Sequence, residues 1–389
     1  MVEIGERAFS QAGNLKKVTF PSTLTTVGYR SFCLTGMEEI TLTAGLVNIG
    51  EGAFRDMPNL TTVTIENDAV LANYAFRSCP KLQNVYINGD VTFTGTSQAF
   101  TTSDNALGVI NVYVKSEEMK ERVKAANTSA NLNIIVGTEI AEGLYQSPDK
   151  ATLYVMSADG MANWNTMLKT NANNAGVTTI ELMADVDMTG KPWTPVDNHA
   201  DTANKWNTWN GNGHTISNLT INGQAMFTRF AASGNKVVSN LTFDNATVTS
   251  GGINVAVLVG QTYQNLLLDN VDVKNSSIKG AYKVAPLVGT VYNENSTAIT
   301  ATVKNCDVEN TKVTCTSYDF CTAGMVAFVY EGDNDQIVFE NCTVKNVELY
   351  AKPNGYAAHA AIYVNDADTD DCFNEAAGVT VENVTFTAL

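Results

Sequence analysis

Apolar residues recur along the chain in short bursts whose period, not whose strength, is the informative feature. Ile4-Gly5-Glu6-Arg7-Ala8-Phe9 is echoed by Val27–Phe32, by Ile49–Phe54 and by Leu71–Phe76, so that Phe recurs after 23, 22 and 22 residues. A turn and a short alternating stretch follow each Phe: Leu15–Phe20, Met37–Leu42, Leu60–Ile65 and Leu82–Ile87. In these, Val18/Phe20, Ile40/Leu42, Val63/Ile65 and Val85/Ile87 alternate mainly with polar residues, the period-two signature of a half-buried strand. One strand per repeat, stacked in register, predicts a parallel sheet with the Ala-Phe turns filling the core. A single repeat cannot bury its own apolar face, so stacking is obligatory. A degenerate fifth unit carries Phe100 and Ile110–Val114, and Ser116–Ala126, rich in Glu and Lys, reads as a solvated helix that caps the solenoid.

Beyond a linker at 137–150 a different period begins, announced by asparagine. LTFDNATV (241–248), LLLDNVDV (266–273), ATVKNCDV (301–308), IVFENCTV (337–344) and VTVENVTF (379–386) align on Asn, with Ile216–Gly223 as an earlier relative. In the first of these, Leu241 and Phe243 share one face, whereas Ala246 and Val248 are shifted by one. A regular strand cannot exchange its buried face, so the backbone must bend at Asp244-Asn245-Ala246. Asparagine tolerates the left-handed backbone that such a corner needs. The pattern predicts a structural ladder of Asn245, Asn270, Asn305, Asn341 and Asn383, with Cys306 and Cys342 stacked in the interior beside it and a disulfide between them as a secondary alternative.

Between these corners lie second apolar strands at 225–227, 255–260, 284–289, 325–329 and 360–364, nearly continuous in apolar character as in buried parallel sheets. The aligned asparagines are 25, 35, 36 and 42 residues apart, which implies growing rungs with loop insertions at 293–298, 318–322, 331–335 and 366–375. Ala158-Asp159-Gly160-Met161 opens an amphipathic helix through Trp164, Met167 and Leu168, expected to cap the first rung. The boundaries that follow are 1–138 for the first domain and 139–389 for the second.

The first set of motifs, I-G-x-x-A-F followed by L-x-x-V-x-I, resembles the BspA-like leucine-rich repeats of bacterial surface proteins over residues 2–90. The second domain opens with Leu182, Asp185, Val186, Asp187, then Trp193-Thr-Pro195-Val196, then Trp209-Asn-Gly-Asn-Gly-His214-Thr-Ile216-Ser-Asn218-Leu219. That run, with the glycine-tipped Leu-Val-Gly strands ending at Gly260 and Gly289, resembles GLUG-type modules of Bacteroidetes surface and secreted proteins over 150–389. Asn210 and Val196 depart from the Asp and Ile of that pattern, both conservatively for structure. Together the two resemblances imply a mostly β fold, a leucine-rich repeat solenoid followed by a right-handed parallel β-helix with few short helices. They also imply a cell-surface or secreted protein with a binding or adhesion role.

Charge narrows the partners. The formal net charge is −16, and while 1–140 carries 14 acids against 11 bases, the rest carries 26 against 13, with Arg229 its only arginine. Such a surface repels phosphate backbones and anionic lipid, so nucleic acid and direct membrane insertion are not expected. No apolar run is long enough to span a bilayer, and Met1–Phe9 already carries repeat residues in place of a signal peptide. The chain thus reads as a piece of a longer secreted precursor with further repeats upstream. The seven cysteines are odd in number and lack CxxC spacing, which suits small buried hydrophobes better than a zinc site or a disulfide framework.

Candidate chemistry is sparse, and the expectation is of no enzyme, no catalytic or cofactor-binding residues and no cofactor. Asp244, Asp269, Lys304, Glu340 and Glu382 sit one per rung as a possible carboxylate stripe beside the corner, read as solvated edge. Asp185 and Asp187 read as turn caps and His214 as a turn-filling residue, while His199 and His359 have no partner at a telling spacing. Asp366, Asp368 and Asp370 are the one calcium candidate, although Ala377 stands where an EF-hand needs its last acid. Arg55 and Arg77 share the position after Phe, either as a small basic stripe or as solvated turn residues. Three functions remain open: a monomeric module recognising extracellular protein, matrix or glycan; a carbohydrate-active β-helix enzyme, marked by acids converging in a groove; and an architectural stalk. Exposed rings at Trp206, Tyr263, Tyr292, Tyr318 and Tyr356 would speak against the stalk.

Overall fold

The computed structural model describes residues 2–389 except 44, 102–108, 171–175, 198–205, 232–233, 293–297, 318–321, 331–335, 352–361 and 366–376. The chain divides into two compact units, Met1–Thr138 and Glu139–Leu389. The fold is β-rich and solenoid-like, with two helices among the described residues.

In the N-terminal unit each repeat contributes to two parallel five-stranded sheets. One runs through Glu39–Leu42, Thr62–Ile65, Asn84–Ile87, Ile110–Val114 and Leu132–Val136. The other is made of short strands at Glu3–Ile4, Thr26–Val27, Asn48–Ile49, Ala69–Leu71 and Val91–Phe93. Alternation does what the pattern requires: Val63 and Ile65 are buried while Thr62 and Thr64 face out. The repeated Phe residues form a column of stacked rings, with centroids 5.0 Å apart from Phe9 to Phe32, then 5.3, 5.2 and 5.9 Å on to Phe54, Phe76 and Phe100. One stretch expected as a strand, Leu15–Phe20, is not one. A groove lined by Lys16–Phe20 and by Glu38, Glu39, Thr41 and Thr43 occupies the place where ladder pairing would have closed. Helix α1 (Glu117–Ala126) caps the unit. Ser116 accepts the Met119 amide at its start, Met119 and Val123 face the core, and Arg122 pairs with Glu118 and Asp90.

In the C-terminal unit successive rungs feed three large sheets, parallel from rung to rung, and a two-stranded sheet of Ile253–Val255 and Tyr282–Val284. The largest includes Thr179–Leu182, Thr208–Ser217, Lys236–Asp244, Leu266–Lys274, Gln336–Glu340 and Val379–Glu382. A second six-stranded sheet runs from Val196–Asp197 through Val259–Thr262 to Ile362–Asn365, and a third from Thr220–Asn222 through Ser277–Gly280 to Thr385–Ala388. The apolar strands between corners therefore form a sheet of their own. Helix α2 (Ala158–Thr170) buries Met161, Trp164, Met167 and Leu168. Trp164 lies 5.4, 6.5 and 5.1 Å from Trp193, Trp206 and Trp209, an aromatic core beneath the helix. Trp206 is 1% exposed, so it belongs to that core and is no surface ring.

The expected single asparagine ladder is corrected by the register. Leu241 pairs with Val271, not with Leu266, and Cys342 pairs with Val379. Asn270, Asn305 and Asn341 consequently share one corner with Asn240, whereas Asn245 and Asn383 belong to a second corner with Asn218, Asn275, Asn310 and Asn346. The two corners lie five residues apart on each rung and have the same apolar alternation on both sides. A slip of five residues therefore lays asparagine on asparagine and apolar on apolar, and only backbone pairing distinguishes the alternatives. All ten of these asparagines have φ between 51° and 59°.

Candidate binding surfaces

Two amide ladders run along the C-terminal unit, and each side chain donates toward the preceding rung. On the first corner Asn240 donates to Asn210 at 3.1 Å, Asn270 to Asn240 at 3.2 Å, Asn305 to Asp269 at 2.8 Å and Asn341 to Asn305 at 3.4 Å. On the second, Asn245 reaches Asn218 at 2.7 Å, Asn275 reaches Asp244 at 2.7 Å, Asn310 reaches Asn275 at 3.3 Å, Asn346 reaches Asn310 at 3.1 Å and Asn383 reaches Asn346 at 2.8 Å. Asp187 starts this second ladder, taking Asn218 at 2.8 Å and the Thr189 amide and hydroxyl at 2.9 and 2.7 Å. These bonds hold its carboxyl below the usual range, the Asn218 amide contributing most.

The supposed carboxylate stripe separates in the same way. Asp269, Lys304 and Glu340 are register partners on one row, while Asp244 and Glu382 lie on the row beside the second corner. Asp269 is 3.2 Å from the Lys304 ammonium and Glu382 is 3.1 Å from Lys345, and Asp244 accepts from Asn275. These acids serve the ladders and local ion pairs and do not converge. At the start of the unit Asp185 takes the Thr215 amide at 2.9 Å and meets His214 Nδ1 at 3.2 Å. Nearby, burial raises the Glu181 carboxyl although Asn212 donates to it at 2.8 Å. The calcium candidates Asp366, Asp368 and Asp370 lie outside the described residues, as do His199, His359, Tyr318 and Tyr356. Among the described residues no group of three or more His, Cys, Asp or Glu is placed to hold a metal ion.

Cys306 and Cys342 are buried, free thiols. Cys306 receives the Val271 amide at 3.3 Å, and the Cys342 thiol together with burial holds the Cys306 proton in place. A residue that the pattern did not single out is Lys236. It is 0% exposed, its ammonium donates to the Trp206 carbonyl and lies 5.2 Å from the Trp206 ring, and burial pushes it down to about 8. A lysine preceding two valines reads as a strand start, and nothing local distinguishes a buried one.

Among the described residues a polar groove lies in each unit. The first, of about 520 Å³, crosses the initial repeats between Lys16, Lys17 and Glu38, Glu39. The second, of about 350 Å³, is lined by Ser276, Asn310, Thr311, Lys312, Asn346 and Glu348, so it follows the second amide corner. Beside it the Lys312 ammonium lies 4.2 Å over the Tyr350 ring, and the Tyr350 hydroxyl donates to Glu348 at 2.9 Å.

Residues 1–122 match the family model of the BspA type leucine rich repeat region, in six copies. Leucine-rich repeats of this type are present in the N-terminal unit. A solved crystal structure of a candidate immunoglobulin A1 protease from Bacteroides ovatus is similar over 62% of this chain and 76% of its own, at 16% identity and a TM-score of 0.35. No curated protein matches. No helix among the described residues is long and apolar enough to cross a membrane.

Proposed function

We propose that the protein is a cell-surface or secreted binding module of adhesion type. It recognises extracellular protein, matrix or glycan through repeat faces, acts as a monomer, and has no nucleic-acid partner, membrane-inserted segment, cofactor or catalytic role. One observation carries this reading. The repeats are held by columns, phenyl rings inside the first unit and amides along the exposed corners of the second, and each unit also carries a polar groove built from equivalent positions of neighbouring repeats. Grooves of this kind, with charged and aromatic groups at the rim, suit polar ligands. The BspA type repeats over 1–122 support a surface setting.

The C-terminal unit we read as a right-handed parallel β-helix of GLUG type. Support comes from the three large sheets, parallel from rung to rung, and from the placement of the motif residues. Trp193 is buried with its indole donating to the Met226 carbonyl at 2.9 Å, and Trp209 is buried beneath helix α2.

The test is a glycan and matrix-protein array probed with the whole chain. Saturable binding that weakens in Lys312→Ala or Lys17→Ala is the expected result, and an array without a single ligand would overturn the reading. A second reading, a carbohydrate-active enzyme, draws on the Asp185–His214 contact and the raised Glu181 carboxyl. Release of reducing sugar or unsaturated product, abolished by His214→Ala, would establish it instead.

A further inference from the structure

We propose that the turn edge of the N-terminal unit binds a linear sulfated polysaccharide through Arg7, Arg30, Arg55 and Arg77. This assignment names a ligand class for the binding role above and rests on it. The chain has six arginines, and the structure divides them sharply. Arg122 is forked between Asp90 and Glu118, and Arg229 closes a two-point pair on Asp197 at 3.2 and 2.8 Å. Their donors are taken. The other four fall on one edge, one per repeat, and none of their Nη atoms has an acceptor among the described residues.

Aromatic rings hold three of these guanidinium groups without using their N–H donors. Tyr29 lies between Arg7 and Arg30, whose guanidinium carbons are 5.5 and 5.2 Å from its centroid, and Arg77 lies 4.6 Å over Tyr74. Gly52 replaces a side chain in the Arg7, Arg30 and Tyr74 column. A Cβ there would come 3.4 Å from Arg30 Cγ and 3.6 Å from Arg55 Cβ, so the glycine lets two arginines of successive repeats converge. The carboxylates that touch the edge do so on the Nε side, Glu6 at 3.8 Å from Arg7 and Asp56 at 3.0 Å from Arg55. The paired Nη donors are left without an acceptor from another described residue, and such a pair receives sulfate or carboxylate in two-point fashion.

Spacing and surroundings choose the ligand class. Arg7 and Arg30 stand two residues before the repeat Phe and Arg55 and Arg77 one residue after it, on repeats whose Phe rings advance by 5.0, 5.3 and 5.2 Å, so the four cations form an extended strip of two short columns, not a single pocket. A polysaccharide with an anionic group on nearly every ring presents a matching row. An acidic peptide would need apolar pockets or an unpaired strand for specificity, and this edge consists of turns. A neutral glycan would need open rings, yet Tyr29 and Tyr74 are faced by guanidinium.

The experiment is calorimetric titration of the whole chain with heparin octasaccharide at low and moderate salt, beside desulfated heparin and poly-glutamate. Expected is saturable, salt-sensitive binding to heparin alone. Arg30→Gln with Arg77→Gln should weaken it at least about tenfold, since a hydrogen bond to a charged group is worth roughly 1.5–3 kcal/mol. Arg30→Lys with Arg77→Lys keeps charge and stem, guards against misfolding, and should weaken binding several-fold. Lys304→Gln with Lys345→Gln, in the other unit, should leave binding intact. Equal heparin binding by wild type and the glutamine variant overturns the proposal, and so does equal affinity for poly-glutamate, which would mark an acidic-protein site. Should the array yield a ligand whose binding ignores all four arginines, this assignment falls while the binding role stands.

Discussion

Asparagine in this chain performs two functions at once: it occupies a left-handed backbone position and extends a hydrogen-bonded column. Asn310 has φ 51°, donates to Asn275 at 3.3 Å and accepts from Asn346 at 3.1 Å. Asn310→Ala should therefore cost about 2 kcal/mol, combining left-handed strain with lost amide bonds, whereas Asn310→Gly should cost under about 1 kcal/mol because only the bonds are lost. Urea unfolding of the two variants separates backbone from side chain, and equal losses would show that the corner conformation is not what asparagine serves. Lys236 makes the opposite case, a charge held where water cannot reach it. Its value is pushed down to about 8 from an ordinary 10.5, so the folded state binds fewer protons than the unfolded one between those values. Stability should accordingly rise as pH climbs through that window and stay flat below it. Lys236→Met should be more stable at pH 7 by about 2 kcal/mol, an advantage that disappears toward pH 10.5. Chemical denaturation at pH 7 and pH 10 checks both the sign and the window.

At the scale of elements, stability comes from columns more than from strands. Most strands of the smaller N-terminal sheet are two residues long, too short to hold repeats together, and the Phe column supplies the continuous apolar contact. Phe54 is wholly buried with a ring on each side, while Phe9 is 43% exposed at the end of the stack. Phe54→Ala should cost about 3–5 kcal/mol and Phe9→Ala under about 1 kcal/mol. Matching losses in guanidinium titrations would mean that the stack contributes little. Much at this scale was legible in advance. The period of the Phe hexads, the charged helix at 116–126 and the apolar face of helix α2 are local signals, carried by residues that are neighbours in sequence. Leu15–Phe20 shows the limit, because alternation states which side chains can be buried, not whether a neighbouring segment approaches closely enough to pair.

On the scale of the whole molecule the described residues form two hydrophobic cores with no residue in common, one within 4–136 and one within 140–384. Independent cores predict independent cooperative units. Differential scanning calorimetry should resolve two transitions, and Phe54→Ala should move one while leaving the other in place. A single transition that shifts as a whole would argue against independence.

Sequence alone determined the repeat periods, the β-rich class, the recurrence of Phe at core-filling turns, and which residue type turns each corner of the C-terminal rungs. These are local properties, set by side-chain alternation and by the few residues that tolerate a left-handed backbone. Tertiary structure alone decided which asparagine lies over which, because two corners five residues apart look the same to any pattern and differ only in the strand that each one pairs with. It also decided that Trp206 and Lys236 are interior and that Arg7, Arg30, Arg55 and Arg77 share one edge. Burial and convergence are properties of residues from different repeats, and the chain specifies them only once its rungs are stacked.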